Sequence, residues 1–118
     1  MYGISSTADF SFLVGKMVEQ VCLGQYQTQI HLDDAYLSIE GKHTLLRAED
    51  HTEITWERDR FPSDGVSQLL GQTLSEVSVN EGGPVEFRFS QGDRLLIFDD
   101  SPQYESFQIR CGNLWIVV

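Results

Sequence analysis

Leu13-Val14-Gly15-Lys16-Met17-Val18-Glu19-Gln20-Val21-Cys22-Leu23 and Leu69-Leu70-Gly71-Gln72-Thr73-Leu74-Ser75-Glu76-Val77-Ser78-Val79 read as one stretch written twice. Leu13, Gly15 and Val21 recur as Leu69, Gly71 and Val77, and apolar residues match at Val14/Leu70, Val18/Leu74 and Leu23/Val79. The likeness runs on through Ile30-His31-Leu32 against Phe87-Arg88-Phe89 and Leu37-Ser38-Ile39 against Leu95-Leu96-Ile97, with one residue gained at each intervening turn. Insertions confined to turns are what a structural repeat tolerates.

Each copy opens on a segment that reads as a short helix, 7–15 capped by Thr7 or Asp9 and 63–71 capped near Ser63, ended by Gly15 and Gly71 in the left-handed region. The apolar period then changes to two. Val21, Leu23, Thr28, Ile30 and Leu32 share one face, with Tyr26 among them, while Gln27, Gln29 and His31 point the other way. Turns at Asp33-Asp34 in the first copy, and at 80–84 and 90–93 in the second, join three strands into a meander in each. A hairpin with Ile54 and Trp56 on one face lies between the copies. It has no evident counterpart between the second meander and the tail, and so reads as an element added to one copy. Leu114-Trp115-Ile116-Val117-Val118 closes the chain as the last of a strand pair.

The expected fold is mainly β (α+β): a duplicated antiparallel meander of about ten short strands with two short helices, closed as a barrel or folded as a sandwich about a pseudo-twofold axis. One domain, 1–118, is expected, built of repeats 7–41 and 63–99, an inserted hairpin 43–57 and a C-terminal strand pair 104–118.

Eighteen acidic residues against eight basic ones give a net charge of −10, which repels phosphate backbones and anionic membranes and favours basic partners. No apolar run approaches the ~20 residues of a membrane helix, and the amino terminus lacks a signal peptide's charge and apolar core, so a cytoplasmic location is expected. Cys22 and Cys111 have neither metal nor redox spacing and read as free thiols; Ser78 stands where the repeat would place a second Cys22.

Catalytic signatures are lacking. No serine sits in a nucleophile elbow, Asp33-Asp34 and Asp99-Asp100 fall where turns are expected, and Gly82-Gly83-Pro84 precedes a strand and not a phosphate-binding helix. His51 and Glu53 share a strand face but make only two ligands where three or four are usual. No enzyme activity, metal or cofactor is therefore expected. Trp56, Trp115, Tyr36 and Tyr104 are the aromatics that a ligand pocket would use, although core packing is their ordinary role.

Ile39-Glu40-Gly41, Leu69-Leu70-Gly71-Gln72-Thr73, Phe89-Ser90-Gln91-Gly92 and Tyr104-Glu105-Ser106-Phe107 occur in an order and spacing that resembles an uncharacterised bacterial domain-of-unknown-function family. The family's tail phrase is Tyr-Glu-Ala/Ser-aromatic followed by a glycine turn, which Phe107 and Gly112 match loosely. The resemblance implies the same duplicated architecture and assigns no reaction, cofactor or catalytic residue.

The functional expectation is a non-enzymatic protein–protein interaction module of immunity or inhibitor type. Its basic partner would dock on the acidic hairpin through Glu49, Asp50, Glu53, Glu57 and Asp59. The alternatives are a small-ligand barrel with Trp56 and Tyr36 in its mouth, and a structural homodimer joined through edge strands.

Overall fold

The computed structural model describes residues 10–24, 27–56, 64–79, 84–98, 107–112 and 114–117. Ten strands occur in them: β1 (Val18–Leu23), β2 (Thr28–Leu32), β3 (Ala35–Ile39), β4 (His43–Leu46), β5 (Glu53–Trp56), β6 (Leu74–Val79), β7 (Val85–Phe89), β8 (Arg94–Ile97), β9 (Phe107–Cys111) and β10 (Leu114–Val117). They form two antiparallel five-stranded sheets that do not close into a barrel. The orders are β1-β2-β3-β9-β10 and β5-β4-β8-β7-β6.

The period-two reading of the meanders holds in β2 and β7, whereas in β1 Leu23 is exposed beyond a register shift, and Tyr26 lies outside the described residues. Ile30 faces Leu37 and Ile109 across the first sheet, Phe87 faces Leu95 across the second, and Leu45 continues that row. All are buried in one apolar core to which both sheets contribute, together with Phe10, Leu13, Val66 and Leu69 from the segments ahead of each meander.

Those segments correct one expectation. They are 3-10 turns, Ser11–Leu13 and Asp64–Leu69, and not α-helices. In the first, Leu13 N–H donates to Phe10 O and Val14 N–H to Ser11 O, both at 3.0 Å. Three residues are too few to nucleate an α-helix, and the buried side chain of Leu13, not helix propensity, holds the turn. Residues 7–9 and 63, to which the capping expectations belong, lie outside the described residues.

The turn ends are tied to each other by matched hydrogen bonds. Gly15 N–H donates to Leu74 O at 2.8 Å and Gly71 N–H to Val18 O at 2.9 Å; Val18 N–H donates to Gln72 O and Leu74 N–H to Lys16 O. Met17 and Thr73, the midpoints of these segments, form an antiparallel bridge. Asp33 and Ser90 then play one role: each backbone N–H reaches the carbonyl of Met17 or Thr73, and each side chain accepts the N–H of that same residue. A register shift also falls at the same place in both copies, Val18/Gln20 and Leu74/Glu76.

Gly15 at φ 92° and Gly71 at φ 84° make this crossing, and nothing lies within 4 Å of a Cβ built on either. Replacing either with alanine therefore adds backbone strain without a clash, and each variant should lose about 1–2 kcal/mol. Urea unfolding of Gly15→Ala and Gly71→Ala checks this, with similar losses expected from the two because their settings match.

The meanders exchange their hairpins. The β4–β5 hairpin follows the first meander in sequence yet pairs with β8 of the second, while β9–β10 follows the second and pairs with β3 of the first. His43 opposes Ile97 as Phe107 opposes Ile39. The two hairpins thus occupy matching places, and the expectation that 43–57 has no counterpart gives way to this topology. Sequence order hides the match, because the pairing is non-local.

Candidate functional site

Since Ile30, Leu37 and Ile109 point to the core, their neighbours in each strand form the opposite face of the first sheet. The cross-strand register lines these up in two rows. One runs Gln20, His31, Tyr36, Arg110, Trp115, and the other Cys22, Gln29, Ser38 and Gln108. Neither row contains a carboxylate, although the chain as a whole carries −10.

Within the first row the side chains pair as cross-strand neighbours should. His31 stacks on Tyr36 with centroids 5.5 Å apart and planes inclined by 26°. The Arg110 guanidinium lies 4.4 Å from the centre of the Trp115 ring, a cation–π contact. Trp115 is 57% exposed, and its Nε1–H donates to Gln108 Oε1 at 3.2 Å. Ser38 Oγ, in the neighbouring row, donates to Gln27 Oε1 at 2.9 Å. The result is a surface of stacked rings, amides and one guanidinium, with Arg110 free of any described ion pair. At its margin Lys16 donates to Asp34 Oδ1, which raises the lysine pKa and lowers the carboxyl pKa, and Cys111 Sγ lies 3.8 Å from Asp34 Oδ2.

The second sheet supplies an internal control. Its matching rows run Glu76, Arg88, Arg94, Leu46, Glu53 and Ser78, Glu86, Leu96, Thr44, Thr55. Here Glu86 pairs with Arg88 at 3.3 Å and with Arg94 at 3.1 Å, and no aromatic residue is present. This is an ordinary solvated, ion-paired face. The same scaffold thus presents a neutralised surface on one side and an aromatic, acid-free one on the other.

The residues expected to dock a basic partner are placed as follows. Glu49, Asp50 and Glu53 are exposed at the tip and start of β5, while Glu57 and Asp59 lie outside the described residues. Arg47 pairs with Asp50 at 3.3 Å and approaches Glu49 at 4.0 Å. Asp50 also accepts the Thr52 hydroxyl at 2.6 Å and its backbone N–H at 3.1 Å, which hold the carboxyl below its usual pKa. Of the three described acids, Asp50 therefore serves the turn. Behind it, Asp93 accepts the Ala48 N–H at 2.9 Å and the Gln72 amide at 2.8 Å, fastening the tip to the β7–β8 turn. An open hollow of about 430 Å³ lies beside the tip, but Arg47 and Arg94 on its wall already hold carboxylate partners.

The other sequence candidates separate. Trp56 is buried on the second sheet and Tyr36 is on the outer face of the first, so they do not share a barrel mouth. Among the described residues no group of three metal-ligating side chains occurs, and no helix is long and apolar enough to cross a membrane. Tyr104, Asp99 and Asp100 lie outside the described residues.

His43 is buried, and its ring stacks on Trp56 with centroids 5.0 Å apart. Its Nδ1 lies 2.9 Å from Gly41 O, so Nδ1 carries the proton, and His43 Nε2 and Trp56 Nε1 are buried without a hydrogen-bond partner among the described residues. Burial pushes the His43 pKa below its ordinary 6.5. The unfolded chain then takes up a proton at a higher pH than the folded one. Stability is fully present above about 6.5 and falls as the pH drops toward the folded value. His43→Phe, which copies the matching Phe107, should flatten that slope in thermal melts between pH 8 and pH 5.

Residues 11–118 match a family described as a family of unknown function (DUF6188), and the chain belongs to that family. No curated protein and no solved structure matches the chain.

Proposed function

We propose that this family member is a non-enzymatic protein–protein interaction module, built as a duplicated scaffold with pseudo-twofold symmetry, whose recognition surface is the outer face of the first sheet. The supporting observation is the difference between the two faces. His31, Tyr36, Arg110 and Trp115 form an aromatic and cationic row where the equivalent row of the other sheet is ion-paired and lacks aromatics. Trp, Tyr and Arg are the residues that concentrate binding energy at protein interfaces. All three are prepositioned here, Tyr36 by stacking on His31 and Arg110 and Trp115 by their cation–π contact, which lowers the entropy lost on binding. A cytoplasmic setting suits this reading.

A photo-crosslinking amino acid at position 36 should capture one discrete partner in the native cell, and the adduct should vanish on Arg110→Glu. The same group at position 88, on the face of the second sheet, should capture none. Adducts that form equally from both positions, or that survive Arg110→Glu, would contradict the reading.

A second reading keeps the acidic hairpin as the docking site for a basic partner, favoured by the exposure of Glu49, Asp50 and Glu53. Neutralising these with Glu57 and Asp59 should then slow association at least about tenfold at low salt and much less at high salt. On the first reading the same variant leaves the position 36 adduct intact.

A further inference from the structure

Four strands lie at sheet edges, and three of them are guarded. β1 carries the exposed Glu19 beside a register shift, β6 carries the exposed Glu76 beside its own, and β5 opens with the exposed Glu53. Met17 and Thr73, the residues just ahead of β1 and β6, also bridge to each other. Charges and bulges of this kind prevent edge-to-edge pairing. β10 departs from the rule. Leu114-Trp115-Ile116-Val117 has no charge, proline or register shift, and among the described residues no strand pairs with its outer edge.

A bare edge offers N–H and C=O groups in the spacing that another extended backbone satisfies. The side chains beside it decide what that backbone carries. Arg110 belongs to β9, one strand inward, yet its guanidinium lies over the Trp115 ring and so brings a cation toward the edge. A residue on an added strand opposite Trp115 would stand about 4.5–5.5 Å from it, Cβ to Cβ, within reach of that guanidinium. A carboxylate there finds a partner, and an ammonium meets a like charge. No acid of either row competes for the cation.

We infer that the unguarded edge of β10 takes up an extended segment of the partner as an additional strand, with an acidic side chain set opposite Trp115 and reaching the Arg110 guanidinium beside it. This rests on the reading that the outer face of the first sheet is the recognition surface. The occupant is a mostly neutral strand with a single carboxylate, because the overall charge of −10 disfavours a strongly acidic one. A second copy of this chain lacks the required residue in β10 itself, since that strand has no acid to offer Arg110.

The experiment titrates the isotope-labelled protein with three blocked peptides, Thr-Val-Thr-X-Thr-Val-Thr, in which X is Glu, Gln or Lys. The Glu peptide should bind at least about tenfold more tightly than the Lys peptide, although the net charge of the protein favours Lys. It should also slow amide exchange along 114–117 and move the Trp115 indole resonance, which Trp115→Phe identifies. Equal binding of the three peptides, or a preference for Lys, overturns the inference. Shifts at Tyr36 and Arg110 without slowed exchange in β10 overturn strand addition while leaving the face as a docking surface. A first sheet unmoved by any peptide, together with no crosslinked partner at position 36, overturns both. Sedimentation that finds a dimer of the unliganded protein, dissolved by Trp115→Lys, assigns the edge to a second copy and overturns the inference.

Discussion

Phe107→Ala should cost about 3–5 kcal/mol, a large share of the 5–15 kcal/mol that holds a domain of this size. Phe107 is fully buried. It opposes Ile39 across the β3–β9 pairing, and its ring lies 6.1 Å from that of Phe10 at an inclination of 58°. Truncation leaves a cavity lined by the first sheet and the segment leading into it, at the point where the C-terminal hairpin is fastened to a meander far from it in sequence. The melting temperature should fall by roughly 10–20 °C. Trp115→Ala, two strands from the first meander and more than half exposed, should change stability by less than about 1 kcal/mol. Urea unfolding of the two variants separates the core role of β9 from the surface role of β10. A small loss from Phe107→Ala would mean that β9 is not packed on the first meander.

The meanders were legible from the sequence because their signal is local. Alternation from Thr28 to Leu32 and from Val85 to Phe89 follows the pleat, and the turn after each is marked by Asp33 or Gly92, both at positive φ. Gly15 and Gly71 were legible for the same reason, since a repeated glycine after an apolar pair marks a left-handed position. What these glycines terminate was not, because a segment of three to six residues is decided by what its leucine packs against.

Pairing partners were not legible either. Nothing in His43–Leu46 says that its neighbour is Arg94–Ile97 and not the meander just before it. That hidden step also concealed the candidate site. The sequence places His31 on the outer face of β2, but Tyr36 and Arg110 become neighbours only once β9 lies beside β3. The acids of the sequence point instead to Glu49 and Asp50, beside Arg47 in the structure, with Asp50 also bonded to Thr52. The signal that could have been weighed was the absence of acids in 27–32 and 107–118 of a strongly acidic chain.

The acid-free face bears on solubility as well as on binding. A protein of this charge is kept apart from its copies by repulsion, and the first sheet is where that repulsion is weakest. Among the described residues no strand covers the outer edge of β10, and an uncharged edge of this kind beside the exposed Trp115 favours edge pairing. Trp115→Glu should raise the solubility limit, by placing a charge on the edge strand, and lower the affinity for the Glu peptide by like-charge repulsion, linking the two properties to one residue.

Reversing one charge tests the recognition face most directly. Arg110 is exposed and has no described ion pair, so Arg110→Glu should leave the fold intact while replacing attraction with repulsion beside Trp115. The wild-type protein should prefer the Glu peptide over the Lys peptide by at least about tenfold, and the variant should prefer Lys over Glu by a similar factor, a swing of about a hundredfold. The measurement is the pair of dissociation constants for each protein, taken by titration calorimetry at one ionic strength. A reversed preference is the predicted result. An unchanged ranking in the variant would place recognition elsewhere and contradict the assignment of the first sheet's outer face.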